Sequence, residues 1–164
     1  MQQTDINNEA LQPRSTATPF SAFFWPSVSG DVATAADQLA DDVEWHLMPY
    51  NHAIKGKEEV IPWLKAGGAS QKEPVIINNV ATKEWGVCEL WNIGTLTAET
   101  VEYGKQLGWP FPRDTNSLIG RKYKVAQCFV YHINAEGKID VIRQYMDAGT
   151  VWAQISDEIK RRPR

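Results

Sequence analysis

The stretch KYKVAQCFVYHINAEGKIDVIRQYMD, residues 122–147, constrains the fold more than any other part of the chain. Two runs rich in β-branched and aromatic residues flank the short turn AEGK at 135–138, the clearest hairpin signal in the sequence. A hairpin of this length is stable only as part of a larger sheet with one face covered, so the rest of the chain must supply further strands and a covering layer. At 164 residues there is enough chain for one domain with a substantial core, and too little for two ordinary ones.

The covering layer is expected upstream. Phe20, Phe23 and Phe24 recur at helical spacing within 18–29, where Pro26 removes a backbone donor and is expected to kink or end the helix. Asp31 caps a second short helix, VATAADQLA, with Val32, Ala35, Ala36 and Leu39 on its apolar side. DDVEWHLMP reads as a strand closed by Pro49, and YNHAIKG as a short returning strand. A third helix starts after Gly56 with Val60, Trp63 and Leu64 on one side; Pro62 sits awkwardly inside it and Gly67-Gly68 is expected to end it.

From residue 75 the composition turns to strands. PVIINNVATK, EWGVCELWNIGTLTAETVEY and the two arms of the hairpin give a four-stranded antiparallel sheet. Residues 104–120 are rich in Gly and Pro and read as a long loop, whose Trp109-Pro110-Phe111-Pro112 segment could close over a ligand. Asp147 is the expected N-cap of a final helix over 148–162. Residues 1–17, polar and rich in Gln and Asn at their start, are expected to form a flexible extension, with one domain over 18–164. The fold class is α+β, with helices on one face of the sheet.

A formal charge of −3, a pI near 5.6 and the absence of any block of five like charges leave no electrostatic footprint for nucleic acid or an anionic membrane. The basic residues Lys160, Arg161, Arg162 and Arg164 read as a solvated helix end. Cys88 and Cys128 form no CxxC and no cluster with His at metal-ligand spacing, which predicts no metal site and a reducing compartment. No run approaches the roughly 18 apolar residues of a membrane span, and the polar start lacks a signal peptide's apolar stretch, so a cytoplasmic location is expected.

The order helix, Gly-Asp, helix, then ADDVEWHLMP, IKGKEEVI and AEGKIDVIRQYMDAGTVW resembles the SnoaL-like polyketide cyclases and limonene epoxide hydrolases of the nuclear-transport-factor-two-like superfamily, over about residues 18–155. The resemblance implies a cone: a strongly curved antiparallel sheet wrapped round helices and open at one end into a largely apolar cavity. It also implies, in many members, a homodimer through the outer sheet face. That fold hosts isomerases, cyclases, dehydratases, epoxide hydrolases and non-catalytic binders, so it does not name a reaction.

Matching DDVEWHLMP to the epoxide hydrolases sets Trp45 and Leu47 toward the cavity, where those enzymes carry Tyr and Asn that help hold a water. By alternation Glu44 and His46 then face away. Those enzymes also use an Arg with two Asp. The matching last-strand position here is Gln144, and ELWNIGTL offers only Asn92, so epoxide hydrolysis by that scheme is not expected. The resemblance leaves Trp45, Leu47, Asn92, Cys128, Gln144 and Met146 facing inward, with Tyr50, Phe24 and Trp109 as further substrate-binding candidates.

The acid-base candidates are His52, His132 and Asp147, each with a plain alternative. His52 is either a base at the cavity mouth or a solvated loop histidine. His132, placed inward with Cys128 and Val130 in the matched register, is either a base or a strand-end residue hydrogen-bonded to backbone. Asp147 is either catalytic or simply an N-cap, and Cys128 is a small core hydrophobe if not reactive. Arg143 and Tyr145 fall on the opposite face from Gln144, where a dimer contact is expected.

Two functions fit these residues. The first is a cofactor-independent isomerase, cyclase or dehydratase acting on an apolar polyketide- or terpenoid-like substrate by general acid-base catalysis in the cone. The second is a non-catalytic domain that binds a small apolar molecule in the same cavity.

Overall fold

The computed structural model describes residues 18–70, 73–109, 111 and 113–156. The extension expected at 1–17 and the basic cluster at 160–164 lie outside the described residues. The chain begins with helices α1 (Pro19–Ser29) and α2 (Val32–Ala36), strand β1 (Leu39–Leu47), a 3-10 turn at Met48–Tyr50 and strand β2 (His52–Lys55). Helix α3 (Lys57–Ser70), strands β3 (Val75–Ala81) and β4 (Trp85–Thr95) and helix α4 (Ala98–Gln106) follow. After a 3-10 turn at Asn116–Leu118, strands β5 (Lys122–Ile133) and β6 (Ile139–Met146) and helix α5 (Ala148–Ile155) complete the order.

The strands form one six-stranded sheet in the order β2-β1-β6-β5-β4-β3. The β5–β6 hairpin closes where the sequence places it, with Gly137 supplying the positive φ its turn requires. The sheet is mixed rather than wholly antiparallel, because β1 and β6 pair in parallel. Parallel neighbours need a long crossover, and here everything from β2 to β5 lies between them. A register shift between Leu39 and Glu44 in that ladder coincides with the consecutive exposed residues Asp41 and Asp42, which lie inside β1.

Five local expectations are corrected. Helix α1 runs through Pro26 to a left-handed Gly30 cap, because Phe20, Phe23, Phe24 and Ser27 are all buried along its length. Helix α2 stops at Ala36, and Leu39 opens β1. Helix α3 continues across Gly67-Gly68 to Ser70, for a packing reason: a Cβ on Gly68 would overlap the Ser27 carbonyl oxygen of α1. Thr97, whose side chain accepts from the Thr100 N–H, caps a helix where one long strand was expected. Helix α5 ends at Ile155, with Ser156 already extended.

The helices cover the inner face of the sheet. Phe20 stacks on Tyr131 at 5.0 Å and meets Phe129 at 5.2 Å, while Phe23 stands edge-on to Trp45 at 5.7 Å. Such fully buried aromatics contribute about 1.5–3 kcal/mol each. Asn79 donates to Thr18 Oγ1 at 2.8 Å and Ser21 Oγ at 2.7 Å, which ties the start of α1 to β3.

Candidate functional site

A cavity opens between the sheet and its cover. Its empty space, mouth included, is about 610 Å³. The floor is the inner face of three strands: Asn92 from β4, Tyr123, Val125 and Gln127 from β5, Gln144 and Met146 from β6. Trp63, Gly67 and Ser70 of α3, Thr100 of α4, and Val151, Trp152 and Ile155 of α5 form the roof. Tyr50, Trp109 and Phe111 come from connecting segments.

Aromatic rings hold one another in place around this space. Tyr50 stacks on Trp109 at 5.3 Å, and Trp109 stands perpendicular to Trp63 at 6.0 Å and to Trp152 at 6.4 Å. Phe111 meets Trp152 edge-on at 5.3 Å. The Trp109 and Phe111 rings can lie this close because residue 104 is Gly: a Cβ there would come within 2.5 Å of Trp109 and 2.6 Å of Phe111.

Among the described residues no Asp, Glu, His, Lys or Arg lines the cavity. Its titratable groups are two phenols. Burial pushes Tyr50 up to about 12. Burial also raises Tyr123, with hydrogen bonds to Ser70 and Asn92 pulling the other way. Both therefore stay protonated at neutral pH. Three buried polar atoms in the lining have no partner: Asn92 Oδ1, Gln127 Oε1 and Trp109 Nε1.

Of the residues singled out in the sequence, Tyr50, Asn92, Trp109, Gln144 and Met146 meet at this cavity. Trp45 and Leu47 turn inward as expected. Trp45 lines a smaller neighbouring void of about 380 Å³ with Phe24, and its Nε1 donates to Gln144 Oε1 at 3.0 Å. Leu47 is packed in the core and touches neither space. Gln144 and Trp63 border both voids.

The expected facing of β5 is corrected. Cys128, Val130 and His132 lie on the outer face of β5, since Tyr123, Val125, Gln127, Phe129, Tyr131 and Ile133 are the buried set. His132 Nδ1 pairs with Asp140 Oδ1 at 2.6 Å, and its ring rests 4.8 Å from that of Trp85. His52 is exposed on the edge strand β2, paired with Leu47. Asp147 is the N-cap of α5: its carboxylate accepts from Thr150 N at 3.1 Å and from Thr150 Oγ1. Those bonds hold the exposed carboxyl below its ordinary value. Glu44 and His46 face outward, paired at 3.0 Å, with Lys55 on the other oxygen of Glu44.

Tyr123, Gln127, Trp63, Ser70 and Trp152 line the cavity without having stood out in the sequence. The signal for Gln127 lay in the two lysines of β5. Lys122 and Lys124 are solvated, so by strict alternation every odd-numbered residue of the strand turns inward.

No protein-family model matches the chain, and no curated protein matches it. Solved structures do. A hypothetical protein with a ketosteroid isomerase-like fold from Catenulispora acidiphila, in complex with trimethylamine, superposes with a TM-score of 0.64 at 13% identity, covering 91% of this chain and 100% of that one. A protein from Jannaschia sp. CCS1 assigned as a SnoaL-like polyketide cyclase gives 0.64 at 16% identity, covering 84% and 88%. An epoxide hydrolase of M. tuberculosis, similar to the limonene enzyme, gives 0.60 at 16%, covering 84% and 86%. At such identities the likeness speaks for architecture and leaves the chemistry open. The chain has the NTF2-like, ketosteroid isomerase-like α+β fold, a curved mixed sheet closed by helices.

Proposed function

We propose that this protein binds a compact, uncharged, largely apolar organic molecule in the cavity between sheet and helices, without transferring protons to it. The observation that carries this reading is the placement of His52, His132 and Asp147 outside a cavity lined by aromatic rings, amides and hydroxyls. General acid-base catalysis needs a group within hydrogen-bond reach of the substrate and a pKa near the working pH. The phenols of Tyr50 and Tyr123, both raised, do not meet the second condition. This placement supports the binding alternative over an isomerase, cyclase or dehydratase that works through His52, His132 or Asp147. The Catenulispora protein's complex with trimethylamine supports a ligand-holding use of the fold. The limited space favours a single ring system over an extended polyketide.

We also propose a homodimer through the outer sheet face. Val87, Trp91 and Tyr145 are exposed there, beside the half-buried Cys128 and Val130. The Lys124 ammonium over Trp91 and the Arg143 guanidinium over Trp85 give this face a mixed apolar and cationic character. The free thiols Cys88 and Cys128 support a reducing, cytoplasmic setting.

Titration with indole, phenol, camphor and cyclohexanone, followed by tryptophan fluorescence and calorimetry, tests the binding reading. Saturable binding is expected, lost in M146W, which fills the floor, and unchanged in H52Q, H132Q and D147N. A probe that is chemically turned over, with turnover abolished by one of those three replacements, would return the enzyme reading to first place.

A further inference from the structure

Asn92 and Gln127 are each 4% exposed, and each leaves a carbonyl oxygen unpartnered in the cavity wall. A buried acceptor without a partner is costly, and in a cavity it marks where a ligand or water donor belongs. Side-chain amides are ambiguous until their network is traced, and here the network can be traced from a fixed end. The Gly67 carbonyl can only accept, so the Ser70 hydroxyl donates to it, at 3.0 Å. Having spent its one proton, Ser70 Oγ accepts from Tyr123 Oη, also at 3.0 Å. Tyr123 then has no proton left for its neighbour Asn92, which pulls the phenol's pKa down as an N–H beside it does, so the NH₂ end of Asn92 belongs toward the phenol oxygen. The chain of donors runs Asn92 to Tyr123 to Ser70 to Gly67, and it turns Asn92 Oδ1 into the cavity as an acceptor.

The fold protects this relay. Gly94 pairs with Tyr123 across the β4–β5 ladder, and a Cβ on it would come within 2.6 Å of the phenol oxygen and 2.5 Å of the Ser70 carbonyl oxygen. The second acceptor is fixed in a similar way, since the Gln127 NH₂ is engaged with Met146 Sδ at 3.4 Å. Asn92 pairs with Val125, so Gln127 is its diagonal neighbour on the floor, about 7 Å away.

On the strength of the binding reading above, we propose that Asn92, oriented by the Tyr123–Ser70–Gly67 relay, selects ligands that carry an N–H or O–H donor on a compact ring and rejects counterparts methylated on that donor atom. Gln127 Oε1 offers a second donor position, and Trp109 Nε1 can serve an acceptor on the ligand.

Matched probes separate polarity from bulk. Indole and 3-methylindole keep the N–H while 1-methylindole loses it; phenol and 4-methylphenol keep the O–H while anisole loses it. Calorimetric titration should show the donor-bearing members binding about tenfold or more tighter than the capped ones. In N92L that preference should fall to near unity. In Y123F, which keeps the ring but frees the Asn92 amide to rotate, it should shrink several-fold, so the proposal stays testable if N92L fails to fold. Equal binding of all members, as when a resident water satisfies Asn92, or a preference that survives both substitutions, overturns the selection by Asn92 and leaves the binding reading standing. If no member of either set binds, the binding reading falls and the proposal with it.

Discussion

Adjacent glycines in helix α3 are expected to respond to alanine with opposite signs. Neither has a positive φ, so both sit in ordinary helical backbone, where Gly is about 1 kcal/mol worse than Ala. A Cβ on Gly67 meets nothing within 4 Å, because the residue borders the open cavity. Gly67→Ala should therefore stabilise the protein by about 0.5–1 kcal/mol. A Cβ on Gly68 falls well inside 3.0 Å of the Ser27 carbonyl oxygen. That atom is backbone, held at the end of α1, and cannot swing aside as a side chain would. Overpacking of this kind costs about 1–3 kcal/mol, and a rigid neighbour puts it in the upper half of that range. After the propensity gain, Gly68→Ala should destabilise by about 1–2 kcal/mol. For a chain of 164 residues, each kcal/mol moves Tm by about 2–4 °C. Calorimetric melting should then show G67A up by about 1–4 °C and G68A down by about 2–8 °C. The added methyl of G67A also enters ligand space, so that variant should bind indole more weakly although it is more stable. A G68A protein that melts at or above the wild type would refute the close approach of α1 and α3. Equal losses in both variants would refute the open space beside Gly67.

The remaining predictions concern the outer face and the helix cap. Light scattering on a sizing column should give twice the chain mass for the wild type and the chain mass for V87E or W91E; a wild type that is already monomeric ends the dimer proposal. The Asp147 carboxyl is held below its ordinary value of 3.8 by Thr150, so the unfolded chain takes up the proton more readily than the folded one. Its stabilisation is complete above that unfolded value and lost as pH falls through the folded one, so the drop of Tm below pH 4 should be shallower in D147N. An unchanged acid limb would show that the cap contributes nothing to acid sensitivity.

The parts of the fold legible in the sequence were those where one local signal agreed with the global arrangement. The β5–β6 hairpin, the Asp31 and Asp147 caps and the inward Trp45 are of this kind. The misreadings share a physical cause: a local breaker was outweighed by tertiary packing. Pro26 costs a backbone bond, yet the buried aromatic face of α1 holds the helix through it. Gly67-Gly68 looks like a helix end, but Gly68 is glycine so that two helices can touch. Thr97 was hidden inside a β-rich run, where its cap of α4 cut a twenty-residue strand reading short.

At the site, the register of β5 decided most of what was gained and lost. Both faces of this strand carry apolar residues, Val125, Phe129 and Tyr131 on one side and Cys128 and Val130 on the other, so hydrophobicity alone leaves the facing open. A slip of one residue exchanges the two sets entirely. It removes Cys128 and His132 from the cavity and brings in Tyr123 and Gln127. The exchange also changes the chemistry the cavity can support, from a thiol and an imidazole able to move protons to a phenol and an amide able to hold hydrogen bonds. β4 suffers no such ambiguity, because Glu89 and Trp91 are exposed and Asn92 is fixed inward with Cys88 and Leu90. Asn92 alone, read from the sequence, is an amide that could present either end to a ligand. Tyr123 across the ladder, with Ser70 above it, removes that freedom, so the ligand preference of this cavity resides in three residues on three separate elements. No local pattern in the sequence could have joined them.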